Sequence, residues 1–349
     1  MTGTLVLAAS IAQLSRAEVR GLLDTRRVQT PGSVHDPLGL AIELLRPESV
    51  SRAIATVDRE GLHALQTLAA VGESGVDPAA LDALRMQGLV GRDEHTGATI
   101  HVPEITEALE RALGNDGLST SDRVAPHHPA DTSRWFGEAL TSVRRAAALL
   151  RVLAAQPPRL SRKGTVTATA VRGLAESTHG DAASTGHLLS VLQLAGLAEP
   201  MAAGRPGGST VVLVTSDRAS EWLGQPYPER WLDLAWAFTQ KLDPQLRRAL
   251  DLASGDLELA AGALLAHEYP LLPATAREAA ADYAATAEVL GLTAHGQLSP
   301  AALLLFAGDR SSALEIATRD LPEPVAGVYV QPDLSVVVPG PLMPADVQA

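Results

Sequence analysis

Along most of the chain, apolar residues recur every three to four positions, which predicts a succession of amphipathic helices. One phrase within this pattern occurs three times: an amphipathic run ends in Gly-Leu, a turn and an extended stretch follow, and a new helix begins. The three pairs are Gly88-Leu89, Gly196-Leu197 and Gly291-Leu292. The turns and extended stretches are residues 94–102, 203–215 and 295–299, and the next helices begin at Pro103, Ser216-Asp217 and Pro300.

Each part of this phrase has a physical meaning. Glycine at a helix end supplies the left-handed residue that closes the last turn, and the leucine after it enters the core. A glycine-containing turn reverses a two-stranded wing, and Pro or Ser-Asp begins the next helix. Helix, wing and return helix, in this order, form the C-terminal half of a winged helix-turn-helix. The alternative is that these are ordinary helix ends, since a Gly-Leu pair commonly follows a helix. We therefore predict a mainly α fold with small β-wings, built from tandem winged-helix-like units.

The pattern divides the chain into six segments. An N-terminal helical region covers residues 1–57, and winged-helix-like unit 1 covers 58–114. Residues 115–132 are rich in turn and breaker residues and predict a linker. Winged-helix-like unit 2 covers 133–225, and a helical or winged-helix-like unit 3 covers 226–324. Two β-rich stretches around Gln331-Pro332-Asp333 predict that residues 325–349 form the first β-hairpin of a further domain, because a lone hairpin is not stable in water.

Composition narrows the class of protein. The 349 residues exceed one ordinary core, and 46% of them are hydrophobic although only 3% are aromatic. The chain contains no cysteine, which excludes disulfides, a thiolate nucleophile and a cysteine zinc site. No apolar run reaches the roughly 18 residues of a membrane span. We expect a soluble, cytoplasmic protein that does not bind a membrane.

Motifs for catalysis and for cofactors are missing from the sequence. Residues 204–210 are the stretch nearest to a phosphate-binding loop, but they lack its lysine and fit a wing turn better. Neither a Gly-x-Ser-x-Gly elbow nor a His-Glu-x-x-His pair occurs. His127 and His128, with Asp122 and Asp131, lie in a proline-rich linker that lacks the rigidity of a metal site. We expect no enzyme, no catalytic residue, no metal, no cofactor and no small-molecule substrate.

The charge is acidic overall but unevenly distributed. A net charge of −12 argues against a general nucleic-acid coat. Between Ala139 and Ala175, however, seven residues are basic and none is acidic. We predict that these seven bind nucleic acid: Arg144, Arg145, Arg151, Arg159, Arg162, Lys163 and Arg172. The alternative is a solvated face that pairs with acidic residues elsewhere in the chain.

The basic residues differ in where they are expected to lie. Arg159, Arg162 and Lys163 fall in the loop between the first two helices of unit 2, where Ser161 and Gly164 leave the backbone open to a phosphate. In units 1 and 3, the helix that would enter a major groove carries arginine balanced by acidic residues. Unit 2 alone could read bases without electrostatic repulsion, through Ser184, Thr185, His187, Ser190 and Gln193.

Near its C-terminus the sequence resembles a known family. Residues 321–325 (Leu-Pro-Glu-Pro-Val), 328–334 (Val-Tyr-Val-Gln-Pro-Asp-Leu) and 336–342 (Val-Val-Val-Pro-Gly-Pro-Leu) resemble the entry to the helicase-associated domain of actinobacterial XPB-type helicase-associated proteins. Residues 159–164, 174–176, 230–235 and 49–55 are similar to the upstream part of that family. The resemblance implies an N-terminal portion without a helicase motor, in which residues 325–349 begin a truncated helicase-associated domain.

This resemblance implies work in DNA repair and a protein partner such as a helicase. Together with the basic cluster, it predicts a non-catalytic helicase-associated binding protein in DNA maintenance that contacts the DNA backbone through unit 2. Two alternatives stay open: a protein–protein interaction scaffold without DNA affinity, and a winged-helix transcription regulator.

Overall fold

The computed structural model describes residues 3–28, 34–93, 96–114, 117–118, 131–203, 210–323, 329–333 and 335–337. It is mainly helical, with small antiparallel two-stranded sheets, as the sequence predicts. The chain forms two compact bodies. The N-terminal body comprises Met1–Ala125 and Gly262–Glu278, and the C-terminal body comprises Pro126–Ala261 and Ala279–Ala349. In the part of the chain that is described, no helix is both long and apolar enough to cross a membrane.

In the residues that the structure describes, the N-terminal body begins with seven helices and one hairpin. In chain order they are α1 (Gly3–Ala12), α2 (Arg16–Arg26), α3 (Pro37–Leu44), α4 (Pro47–Ile54), α5 (Arg59–Val71), α6 (Pro78–Met86), β1 (Val90–Arg92), β2 (Thr99–His101) and α7 (Pro103–Leu113). A small apolar core lies among α1, α2 and α3, and a larger one among α4 to α7. Residues 262–278 also belong to the N-terminal body. Arg59 donates to the carbonyl of His267 at 2.8 Å, and Leu271 packs on the larger of the two cores.

Arg26 joins three elements of this body. Its buried guanidinium donates to the carbonyl of Leu44 at 2.6 Å, to the carbonyl of Gln87 at 2.9 Å and to the hydroxyl of Ser49 at 3.0 Å. Burial, helped by the charge of Arg52, lowers the pKa of Arg26 to about 10. The group therefore stays protonated at neutral pH, and its charge lies at the C-terminal ends of α3 and α6, which favour a cation.

In its described residues, the C-terminal body contains three further hairpins, two of which lie between helices. It begins with α8 (Phe136–Ala155), α9 (Ala168–Ser177), α10 (Ala182–Leu194), β3 (Ala198–Ala202), β4 (Val211–Thr215), α11 (Arg218–Gly224), α12 (Tyr227–Thr239) and α13 (Pro244–Leu252). A broken helical stretch follows: α14 (Leu257–Leu259), a π-helical turn (Ala260–Leu264) and α15 (Leu265–Glu268). The chain continues with α16 (Ala274–Val289), β5 (Thr293–Ala294), β6 (Gln297–Leu298), α17 (Pro300–Phe306), α18 (Arg310–Asp320), β7 (Tyr329–Val330) and β8 (Val336–Val337).

Tryptophans and one buried carboxylate organise the C-terminal body. Trp135 and Trp231 are buried with ring centroids 4.9 Å apart, and the indole N–H of Trp231 donates to the carbonyl of Leu290 at 2.8 Å. The carboxylate of Asp233 on α12 forms ion pairs with the guanidinium groups of Arg310 on α18, at 2.6 Å, and of Arg218 on α11, at 3.0 Å. One carboxylate therefore fixes three helices.

The repeated Gly-Leu phrase forms the same local structure three times. Gly88, Gly196 and Gly291 have φ angles of +63°, +67° and +69°, and the leucine after each is fully buried. The N–H groups of Leu89, Leu197 and Leu292 donate to the carbonyls of Leu84, Leu192 and Ala287 at 3.0, 2.8 and 2.8 Å. This bond joins the sixth residue to the first, which defines a Schellman motif. An antiparallel hairpin and a helix follow in each copy.

An extended segment adds to the hairpin in the second and third copies. Leu160 donates its N–H to Val211 O at 2.8 Å, and Leu213 donates to Pro158 O at 2.9 Å. In the third copy, Leu257 donates to Gly296 O at 2.8 Å and Leu298 to Gly255 O at 2.9 Å. In the first copy, the carboxylate of Glu73 accepts the N–H of Thr99 at 2.7 Å instead.

Some sequence predictions fall on parts of the chain that the structure does not describe. His127, His128 and Asp122 lie outside the described residues, as do most of the linker and residues 204–209 of the second wing turn. The hairpin expected around Gln331-Pro332-Asp333 is present in its described part, where Tyr329 pairs with Val337 and Val330 with Val336. The six-segment division and the winged-helix identity of the units stay predictions.

Candidate nucleic-acid interface

The basic loop of unit 2 is a tight turn between two helices. Pro157 and Pro158 end α8 because proline cannot donate to the helix ladder, and the next residues pair with β4. The chain then turns back so that Leu160 bridges Val166. The hydroxyl of Thr167 accepts the N–H of Ala170 at 3.3 Å and caps α9. Arg159 therefore lies on the extended segment, immediately before the turn.

Hydrogen bonds within the turn fix its shape. Ser161 donates its N–H to Thr165 O at 2.8 Å, and Gly164 donates to Ser161 O at 2.9 Å. The Ser161 hydroxyl oxygen accepts the N–H of Lys163 at 3.2 Å. Gly164 has a φ of +77°, and a Cβ there would meet no atom within 4 Å. Arg162 and Lys163 occupy the two central positions of the turn, and both are exposed.

The charge of this turn is not neutralised by the chain as far as it is described. Among the described residues, Arg159, Arg162 and Lys163 form no ion pair within 4.0 Å. Arg144 and Arg151, both exposed on α8, and Arg172, exposed on α9, likewise have none in that part of the chain. The structure thus places Arg162 and Lys163 on the turn and Arg159 on the segment just before it, all three exposed to solvent.

Arg145 has a different environment from the other six. Its guanidinium lies 3.9 Å from the carboxylate of Asp181, the N-cap residue of α10. Hydrogen bonds from Ser184, helped by Arg145, hold the pKa of Asp181 below its ordinary value. Arg145 also lines a cleft of about 710 Å³ whose wall includes Glu138, Glu288 and Ser184. Arg145 therefore has a carboxylate close to its guanidinium, and it is the least suited of the seven to hold a phosphate.

The C-terminal body also contains a buried arginine that the sequence analysis did not single out. Arg230 of α12 lies over the ring of Tyr227, with its guanidinium carbon 4.3 Å from the ring centroid. Its Nε and Nη2 atoms are buried and have no hydrogen-bond partner among the described residues. Burial lowers the pKa of Arg230, the interaction with Tyr227 opposes this shift, and the charge of Arg151 adds to it. Among the described residues, the rings of Tyr227 and Trp222 accommodate this cation.

The helix expected to read bases does not present the residues assigned to it. Thr185 is 3% exposed, because it faces the core together with Leu188 and Leu189. The Nδ1 atom of His187 lies 2.8 Å from the hydroxyl of Thr286 on α16. Of the five polar residues assigned to base contact, only Ser190 is exposed. His187 of α10 thus contacts α16, ninety-nine residues away in sequence, and base reading by α10 stays a prediction.

The described residues contain no group of three or more His, Asp or Glu side chains placed to hold a metal ion.

Comparison with protein-family models, curated proteins and solved structures finds no match for this chain. The resemblance to helicase-associated proteins therefore stays a prediction. Much of the stretch that carries it, residues 324–328, 334 and 338–342, lies outside the described residues.

Proposed function

We propose that residues 133–225 form a winged helix that binds the nucleic-acid backbone. The observation that carries this proposal is the turn of Arg162 and Lys163, two exposed cations without a described carboxylate partner. The order of elements supports it: α8, an extended segment, α9, α10 and the β3–β4 hairpin follow one another as in a winged helix-turn-helix. A four-residue turn, 178–181, joins α9 to α10 and contains Gly180, as is common in helix-turn-helix motifs.

The wider role we propose is that of a non-catalytic binding protein in DNA maintenance and repair that works beside a helicase. The resemblance of residues 321–342 is the support for the helicase setting. Arg159, Arg162 and Lys163 would position the protein on phosphates, and such contacts carry no sequence information. Because the net charge is −12, we expect contact to be confined to this turn and to the exposed basic residues of α8 and α9.

The test is fluorescence anisotropy of labelled duplex and single-stranded DNA at two salt concentrations. Three phosphate contacts give a slope of about −2.7 in log affinity against log salt, so affinity falls roughly 40-fold between 50 and 200 mM salt. Arg162→Glu with Lys163→Glu is expected to weaken binding at least about tenfold and to make the slope shallower by about two.

The matched control is Arg16→Glu with Arg20→Glu on α2. Both residues are exposed, and the control exchanges two positive charges for two negative ones, as the test variant does. We expect the control to bind DNA like the parent protein. Salt-independent binding, or equal loss in both double variants, would contradict phosphate contact through the turn.

A protein–protein scaffold without DNA affinity is the second candidate. The observation that favours it is the contact of His187 with Thr286, because a helix held against its own chain is not free to enter a groove. This candidate predicts no DNA binding in either double variant or in the parent. A transcription regulator is less well supported, since it needs base contacts from α10.

A further inference from the structure

Helices α10 and α16 hold the same position in two copies of the repeated phrase. Each is the helix that ends in a Schellman motif and is followed directly by a two-stranded hairpin. In helix-turn-helix proteins the helix in this position enters the major groove. The part of α16 that follows residue 278 belongs to the C-terminal body, as does α10. Two equivalent helices of that body can therefore be compared directly.

These two helices contact each other through a desolvated hydrogen bond. The hydroxyl of Thr286 lies 2.8 Å from the carbonyl oxygen of Asp282, to which it can donate, and 2.8 Å from the Nδ1 atom of His187. Thr286 is 5% exposed, and the side chain of His187 is 16% exposed. The carboxylate of Asp282 lies 3.7 Å from the same Nδ1 atom.

Helix α16 also brings negative charge to the flank of α10. Asp282 stands beside His187, and Glu288 lines the same cleft as Ser184 of α10. Helix α10 contains no lysine or arginine between Ala182 and Leu194. The facing cation, Arg145, is close to Asp181. A duplex that approached α10 along this flank would meet carboxylates without a basic residue of α10 to offset them.

We propose that the carboxylates of α16 form an electrostatic block on the flank of α10 beside His187, which prevents base reading and restricts unit 2 to phosphate contacts through the turn of residues 161–164. This inference rests on the proposed DNA binding of unit 2. Its consequence is that the protein binds duplexes of unrelated sequence with equal affinity. The block acts through the charge that Asp282 and Glu288 bring to this flank, not through close packing along α10.

The experiment uses the full chain and two duplexes of equal length and unrelated sequence. We expect their affinities to agree within about twofold, against the roughly thousandfold or greater preference of a site-specific protein. Dimethyl sulfate is expected to methylate guanine N7 equally in free and bound duplex, because nothing enters the major groove. Protection of N7 in the parent complex, or clear preference for one duplex, would overturn the block.

The variant that removes the block is Asp282→Asn with Glu288→Gln. It preserves side-chain shape while removing two charges, and we expect affinity to rise on the order of fivefold at low salt, with new N7 protection. The matched control is Asp251→Asn with Glu315→Gln, exposed carboxylates on α13 and α18. Equal behaviour of the two variants overturns the block.

The outcomes separate this inference from the proposed function. If the parent binds through the turn but the Asp282/Glu288 variant matches its control, the block fails and the proposed function stands. If the parent does not bind and the Asp282/Glu288 variant does, the block stands and binding through the turn fails. If no form binds any duplex, both are wrong. Far-ultraviolet circular dichroism of each variant establishes that it is folded.

Discussion

Replacing the glycine of each Schellman motif by alanine, one position at a time, is expected to destabilise the protein by unequal amounts. All three glycines have left-handed backbone, where an L-residue costs roughly 1–2 kcal/mol. This cost is common to Gly88, Gly196 and Gly291. What differs is the space that a new methyl group would find.

The surroundings of each position set the rest of the magnitude. At Gly196 the nearest atom to a new Cβ is a guanidinium nitrogen of Arg218 at 3.9 Å, so only the backbone cost applies. At Gly88 the nearest atom is a methyl carbon of Leu22 at 3.2 Å, which can shift. At Gly291 the new Cβ would lie 2.4 Å from the backbone nitrogen of Ala139. That atom cannot move without displacing the first turn of α8, and such overpacking adds about 1–3 kcal/mol.

We therefore expect losses of about 1–2 kcal/mol for Gly196→Ala, slightly more for Gly88→Ala and about 3–5 kcal/mol for Gly291→Ala. Urea unfolding measures them. All four tryptophans, 135, 222, 231 and 236, lie in the C-terminal body, so their fluorescence reports the body that holds Gly196 and Gly291. Circular dichroism serves for Gly88. If Gly291→Ala and Gly196→Ala cost the same, the close approach of Gly291 to α8 is wrong.

Two further predictions concern Arg26 in the N-terminal body and the stability of the protein at low pH. Arg26→Met leaves the carbonyls of Leu44 and Gln87 without this donor, and we expect the free energy of unfolding to fall by about 2–4 kcal/mol. Urea unfolding followed by circular dichroism measures this change. An unchanged free energy of unfolding would show that the hydrogen bonds of the guanidinium do not stabilise the fold. Hydrogen bonds from serine hold the pKa values of Asp181 and Asp309 below their ordinary values, so the folded chain binds fewer protons than the unfolded chain. Stability should therefore be constant above the usual carboxyl pKa range of about 4 and fall as pH drops through it, whereas an unchanged urea midpoint at pH 3 would refute this reasoning.

Local signals in the sequence predicted where elements begin and end. Pro103 and Pro300 each begin a helix, as expected, because proline fits the first helical position. The Gly-Leu pairs end helices because only glycine adopts the left-handed backbone conformation at low energetic cost. Capping and helix termination depend on a few neighbouring residues, so one sequence contains enough information to predict them.

Long-range packing was not predictable in this way. Residues 262–278 were assigned to the middle of unit 3, and nothing in their periodicity indicates that they belong with the N-terminal body. The turn at 260–264 includes Gly262 with non-helical angles, which kinks the helical stretch between α14 and α15. The availability of α10 depends on α16, whose contact residue Thr286 carries no recognisable signal in the sequence.

In the candidate site, too, local features could be predicted from the sequence and long-range contacts could not. The exposure of Arg162 and Lys163 follows from Ser161 and Gly164, which form a turn by local hydrogen bonding. The different environment of Arg145 depends on Asp181, thirty-six residues later, and on the cleft around it. A run of like charges in sequence is therefore a poor guide to which of its members share a surface.

The carboxylate of Asp233 limits where the polypeptide can be cut for study. The boundary predicted after residue 225 separates Arg218 from Asp233, and it also separates the indole of Trp222 from the carbonyl of Arg230, which accepts its N–H at 3.1 Å. A recombinant fragment of residues 133–225 would expose that indole to water and remove the carboxylate partner of Arg218, which would keep only its bond to the carbonyl of Ala195. A fragment that extends to Asp320 keeps both arginine partners of the carboxylate, but it separates residues 262–278 from the N-terminal body in which they pack.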